Sequence, residues 1–153
     1  MRRKFFSTLV TVLICIRLSA DSDFCGISNS SFSSGERITL KVFYNVGGLY
    51  VDAGTATFSA QLENYNGKPV YHAVGEGWSN SSYDWIFKVR DRYETYMDTS
   101  TLKPYRFIRN VHEGNYKKHE KASFNHEAKS VVTTTGVFKT PDCVQDIISA
   151  VYY

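Results

Sequence analysis

The stretch Ile38-Thr39-Leu40-Lys41-Val42-Phe43-Tyr44-Asn45-Val46-Gly47-Gly48 decides how this chain folds. Apolar side chains recur at every second position from Ile38 to Val46 and alternate with Thr39, Lys41, Phe43 and Asn45. A period of two is that of a half-buried strand, here with a second face that is also fairly apolar. Gly47-Gly48 then supplies a turn. The next run, 49–62, sets Tyr50, Gly54, Ala56, Phe58, Ala60 and Leu62 on one face and Val51, Ala53, Thr55, Thr57, Ser59 and Gln61 on the other. Asn66-Gly67 closes the following hairpin, because both central residues of a type I′ turn need positive φ.

Downstream the pattern repeats. Val70, His72, Val74, Glu76 and Trp78 alternate with Tyr71, Ala73, Gly75 and Gly77, a face of mostly small residues that lets a strand or a ligand approach closely. The aromatic-rich 83–87 reads as either a short helix or the start of a buried strand. Residues 89–98 carry Arg90, Arg92, Glu94 and Asp98 on one side, and 105–111, 116–124 and 130–135 are further extended segments separated by turn signals. With little helical periodicity, the expected fold is mainly β, an antiparallel meander curved into an open barrel or half-barrel. Only the end differs. Thr140-Pro141-Asp142 has the cap, proline and acid of a helix start, and Val144, Ile147, Ile148, Val151 and Tyr152 follow at helical spacing. A C-terminal helix is therefore expected from Pro141. No stop signal closes it before Tyr153, so the domain is expected to be C-terminally incomplete.

The other end reads as an address label. Arg2, Arg3 and Lys4 precede a mostly apolar run over 5–16, and Leu18-Ser19-Ala20 offers a cleavage site, so residues 1–20 are expected to be a signal peptide for export to the periplasm or beyond. The apolar run is too short to span a bilayer. Residues 21–34 form a polar lead, and 35–153 a single β-rich domain. The 153-residue chain has a formal charge of +3, but the leader takes four cationic residues and no acid with it, leaving −1. Phosphate-backbone binding then lacks its electrostatic footprint, and no nucleic acid partner is expected. Of the three cysteines, Cys15 lies in the leader. Cys25 and Cys143 either pair across more than a hundred residues or are two unrelated thiols.

The signatures of common enzymes are absent: there is no Gly-x-Ser-x-Gly, Cys-x-x-Cys, phosphate loop or dinucleotide loop. His112-Glu113, His119-Glu120 and His126-Glu127 recur every seven residues. On a helix they would stack as metal ligands, but Gly114-Asn115 resists a helix, and an odd spacing in strands puts neighbours on opposite faces. No metal site and no cofactor are expected. Asp84, Asp91, Glu94 and Asp98 are acid/base candidates, yet Arg90, Arg92, Arg106 and Arg109 are placed to pair with them across the sheet. Tyr71, Trp78, Trp85 and Tyr93 are the candidates to line an apolar pocket, although such side chains commonly build core.

Several motifs occur in a familiar order. Gly35-Glu36, Tyr44-Asn45, Asp52-Ala53-Gly54-Thr55-Ala56, Asn66-Gly67-Lys68-Pro69-Val70-Tyr71, Val89-Arg90-Asp91-Arg92, Leu102-Lys103-Pro104 with Phe107, and Cys143-Val144-Gln145-Asp146-Ile147-Ile148-Ser149 with Tyr152-Tyr153 together resemble the exported bacterial family DUF3108. The resemblance runs from Gly35 to the last residue. It implies a β-rich cell-envelope protein of Gram-negative bacteria and carries no activity over to any residue.

The expected function is that of a non-enzymatic exported β-sheet module holding a lipid or other apolar envelope component against its aromatic lining. The rival reading is an assembly protein that pairs with another envelope protein through a sheet edge or aromatic patch.

Overall fold

The computed structural model describes Cys25 and residues 28–153. The leader assigned to residues 1–20 lies outside the described residues. Eight strands form one antiparallel sheet in chain order: β1 (Arg37–Val46), β2 (Leu49–Tyr65), β3 (Lys68–Ser79), β4 (Arg90–Asp98), β5 (Pro104–Glu113), β6 (Tyr116–Asn125), β7 (Ser130–Thr133) and β8 (Gly136–Lys139). Every strand pairs with its sequence neighbour, and β1 does not pair with β8, so the meander is open. The turn residues do what their sequence implies. Asn66 and Gly67 both adopt positive φ, 53° and 80°, between β2 and β3.

The register sorts the side chains into two faces. Ala60 stands opposite Ala73, Ala73 opposite Thr95, Thr95 opposite Phe107, and Phe107 opposite Ala122. This inner face carries the core. Ala60, Ala73, Met97, Leu102 and Ile148 are buried together, with Phe32, Phe58, Tyr71, Tyr93, Phe107 and Tyr152 packed against them. A single sheet cannot bury its own face. Here the cover comes from the two ends of the domain: Phe32 of the lead meets Tyr71 and Tyr152 edge-on at 4.9 and 4.8 Å, and a disulfide joins Cys25 to Cys143. The polar lead is thus part of the core through Phe32.

The C-terminal segment corrects the helix expected from Pro141. Only Ser149–Tyr152 is helical (α1). Cys143 takes a left-handed φ of 58°, a conformation that ends any right-handed helix passing through it. The regular turn starts after Asp146, whose Oδ1 accepts the amides of Ile148 and Ser149 at 2.8 and 2.9 Å. A second difference lies at 130–135, where one extended segment was expected. The chain turns at Thr133 and returns as β8, a strand too short for its period to show in sequence. The 83–87 stretch is neither helix nor strand: a 3₁₀ turn at Ser81–Tyr83 leads into it, and Tyr83 O accepts the amides of both Ile86 and Phe87.

Gly75 of β3 is explained by what covers it. A Cβ on Gly75 would lie 2.7 Å from Ile148 Cδ1 and 3.2 Å from the Phe58 ring. Gly75→Val should therefore cost about 2 kcal/mol by overpacking, where a strand glycine would otherwise gain from a β-branched residue. Adding Ile148→Ala vacates the space. In denaturant unfolding the double variant should be more stable than the sum of the two single losses by about 1 kcal/mol or more, and strict additivity would show that the two positions do not meet.

Candidate functional site

At the end of the sheet that carries the β1–β2 turn, the inner face is left uncovered by the C-terminal segment. The hairpin is built to extend there. Gly47 and Gly48 adopt φ of 58° and 89°, and Asn45 Oδ1 accepts the Gly48 amide at 3.1 Å. The pairing of β1 with β2 shifts register between Val42 and Phe43, leaving Ala53 as the extra residue of a bulge that bends the hairpin.

The facing wall is the 80–89 connection, and polar contacts hold it in place. Asn80 donates its amide to Ala53 O at 2.9 Å, and Ser79 Oγ accepts the Val89 amide at 3.0 Å and donates to Asp84 at 2.6 Å. Arg90 binds the other Asp84 oxygen at 2.6 Å. The Ser79 hydroxyl and then the Arg90 guanidinium hold the Asp84 carboxyl below its usual range. Farther along, Gly114 donates its amide to Lys88 O at 2.8 Å, and Gly114 lacks the Cβ that would strike the Phe87 ring.

Between these walls lies a cleft of about 520 Å³, within the size range of small-molecule sites. Val42, Tyr44, Val46 and Val51 form one side; Tyr83, Ile86, Phe87 and Val89 form the other. Gly54, Ala56 and Gly77 are its floor. A Cβ on Gly77 would meet nothing within 4 Å, so this glycine faces open space. Among the described residues no carboxylate, lysine, arginine or histidine lines the cleft. Such a wall can enclose hydrocarbon and cannot neutralise a charge.

The sequence-derived candidates part company here. Trp78 borders the cleft, but its register opposite Thr55 and Arg90 puts its side chain on the other face from Gly77. Tyr71 and Tyr93 pack against the core cluster instead, and burial raises the Tyr93 hydroxyl above its usual range. Trp85 stands on the 80–89 connection, 82% exposed, with its indole N–H donating to Ser82 O at 3.0 Å. It is not part of the lining. Most of the lining was missed, although one signal pointed to it: no charged residue occurs between Val42 and Val51.

The charged candidates are occupied structurally. Arg92 pairs with Glu76 across the sheet at 2.6 Å and with Glu94 on its own strand at 3.0 Å, and Arg109 pairs with Glu120. His72 sits between Glu63 at 2.9 Å and Glu94 at 3.0 Å, stacked on Tyr96. Burial pushes the Glu94 carboxyl up, but its hydrogen bonds with Arg92 and His72 outweigh this and hold it low. Asp91 accepts the His112 backbone amide at 2.9 Å. Asp98 accepts the amides of Ser100 and Thr101 and the Tyr105 hydroxyl, which burial and that carboxylate push up to about 12. The three His-Glu pairs are dispersed: His112 on β5, His119 on β6 against Asn110, and His126 in the β6–β7 turn against Pro104 O. No cluster of metal-binding side chains occurs among the described residues.

Fold and cleft together define an open antiparallel meander with an uncharged apolar recess at one end of its inner face. The chain belongs to DUF3108, a family described as protein of unknown function, whose pattern matches residues 35–153. No curated protein and no solved structure matches it.

Proposed function

We propose that this chain is a non-enzymatic, exported cell-envelope protein that holds an apolar or amphipathic molecule, such as a lipid, in the cleft between the β1–β2 hairpin and the 80–89 connection. The observation that carries this reading is the cleft itself: open, of ligand size, walled by hydrocarbon and aromatic side chains, with Gly77 leaving its floor unfilled. The leader pattern over residues 1–20 supports export, and a disulfide between Cys25 and Cys143 suits an oxidising compartment. Among the described residues no helix is long and apolar enough to cross a membrane. The outer edge of β1, which pairs with no strand among the described residues, favours the second reading, pairing with another envelope protein.

Gly77→Leu tests the cleft without disturbing the fold, because the new side chain enters empty space and strands favour it over glycine. Binding of the neutral fluorophore N-phenylnaphthylamine should weaken at least about tenfold while thermal stability holds or rises. Native mass spectrometry of wild-type protein should show a co-purified apolar molecule that Gly77→Leu lacks. A wild-type protein that carries nothing and binds no probe, or a variant that binds as well as wild type, ends this reading.

A further inference from the structure

The cleft accounts for only part of the exposed apolar surface at this end of the sheet. Phe43, Leu49, Tyr50 and Trp85 do not line it, yet they are 52%, 73%, 76% and 82% exposed. Three of the four belong to the β1–β2 hairpin, whose tip therefore exposes apolar side chains on both faces, with Asn45 beside Tyr50 on the outer one. The register places Val42, Tyr44 and Val46 toward the cleft and Phe43 on the opposite side. The fourth stands on the connection that forms the facing wall, so the two exposed segments flank one cleft mouth.

From this arrangement we infer that the hairpin tip and the 80–89 connection form a docking surface for the interface of a lipid bilayer. Three features select lipid over a protein strand or a second copy. A partner strand covers one edge or one face, whereas this tip exposes Leu49 beside Val46 on one face and Phe43 and Tyr50, beside Asn45, on the other, and side chains exposed on both faces are matched by a fluid that surrounds them. The exposed set mixes Leu49, Ile86 and Phe87 with Tyr44, Tyr50 and Trp85, and tyrosine and tryptophan are the side chains that settle at headgroup level with one end apolar and the other wet. The charge pattern fits as well. None falls between Val42 and Val51, and behind the tip Lys41 faces Asp52 at 3.8 Å and Arg90 holds Asp84. Lys88 has no ion-pair partner among the described residues and offers a cation on the 80–89 connection to an anionic headgroup layer.

The geometry limits the depth. The outer backbone edge of β1 pairs with no strand among the described residues and cannot enter hydrocarbon without cost. A strand rises about 3.4 Å per residue, so insertion by about 5–10 Å immerses only the two or three residues on either side of the turn. Those residues include Tyr44, Val46, Leu49 and Tyr50, and the Asn45–Gly48 hydrogen bond satisfies an amide of the turn. The surface does not depend on the cleft being filled.

Trp85 reports on it directly. In the full chain carrying Trp78→Phe, Trp85 is the only tryptophan. Added vesicles of phosphatidylethanolamine and phosphatidylglycerol should shift its emission to the blue, and lipids brominated on the acyl chain should quench it. Leu49→Ser with Tyr50→Ser, both exposed and so without effect on folding, should weaken vesicle partition at least about tenfold and remove most of the quenching. Exchanging phosphatidylglycerol for phosphatidylcholine should weaken it a few-fold. Three results would overturn the inference: vesicle binding without a Trp85 response, equal binding by the double-serine variant, or a lipid-free dimer that the double-serine variant abolishes. Probe binding in the cleft, measured without vesicles, is a separate readout and can fail or succeed by itself.

Discussion

Replacing both Cys25 and Cys143 with serine should lower the unfolding free energy by about 4 kcal/mol, the largest effect expected of any change to this chain. The two residues are 118 positions apart, so the bridge closes a loop spanning most of the domain. In the chain-entropy view its stabilisation comes from the unfolded state, where a closed loop has far fewer conformations than an open chain. The native contacts of the sheet do not need it. The variant should therefore keep its circular dichroism and its cleft, while the denaturant midpoint falls and the slope of the transition stays equal or steepens as the unfolded chain expands. Reducing the wild-type protein should produce the same drop. An unchanged midpoint after complete reduction would show that the bridge contributes nothing to the fold.

Asp146→Ala should cost about 3 kcal/mol, because one buried carboxylate organises the whole C-terminal cover. Its Oδ2 accepts the Thr95 hydroxyl at 2.6 Å, and its Oδ1 accepts the two amides that begin α1. Thr95 is fully buried at the middle of the sheet, so the alanine variant orphans donors that water cannot reach. Asp146→Asn should lose much less: its carbonyl can keep both amides, and Thr95 can turn its hydroxyl to Arg106 O, 3.3 Å away.

The same pair of variants separates the charge from the hydrogen bonds. Burial, the largest influence on Asp146, raises its carboxyl above the ordinary 3.8, against the opposing pull of Thr95, Ser149 and Ile148. The folded protein thus keeps this proton to higher pH than the unfolded chain does. The group's contribution is complete below about pH 3.8 and declines as pH rises through the folded pKa. Glu94 and Asp98 work in the opposite direction. Burial pushes each of them up, but Arg92 and His72 for Glu94, and the 98–105 hydrogen bonds for Asp98, hold their pKa low, so they lose stability on acidification. The difference between wild type and Asp146→Asn isolates the single group. Between pH 4 and 7 the wild type should lose ground relative to the asparagine variant, and a flat difference would mean that the carboxyl is not perturbed by the fold.

Much of the sheet was legible in the sequence, and the candidate site was mostly not. The period of two through 38–46, 49–62 and 69–78 located β1, β2 and β3, and Asn66-Gly67 located the turn between the last two. These are local properties: backbone sterics at a turn and alternation on a strand act over a few residues. The helix start at Thr140-Pro141-Asp142 is also local, and there it was overridden. A disulfide to Cys25 and a hydrogen bond to Thr95, both distant in sequence, hold Cys143 and Asp146 where a helix from Pro141 would not place them.

The sequence by itself determined an antiparallel meander, the family to which the chain belongs, and an aromatic-rich composition too uncharged between Val42 and Val51 for an ordinary water-facing hairpin. Only the tertiary structure decided which aromatics are core and which are surface. Tyr71 and Tyr93 are half-buried against a core cluster to which Phe32, Leu102 and Ile148 are brought from elsewhere in the chain, while the cleft-facing hairpin residues stay open because that cover stops short of Gly77. Alternation says that a residue lies on one face of a strand. Whether that face meets protein, ligand or solvent depends on where the rest of the chain runs, and no local pattern encodes that.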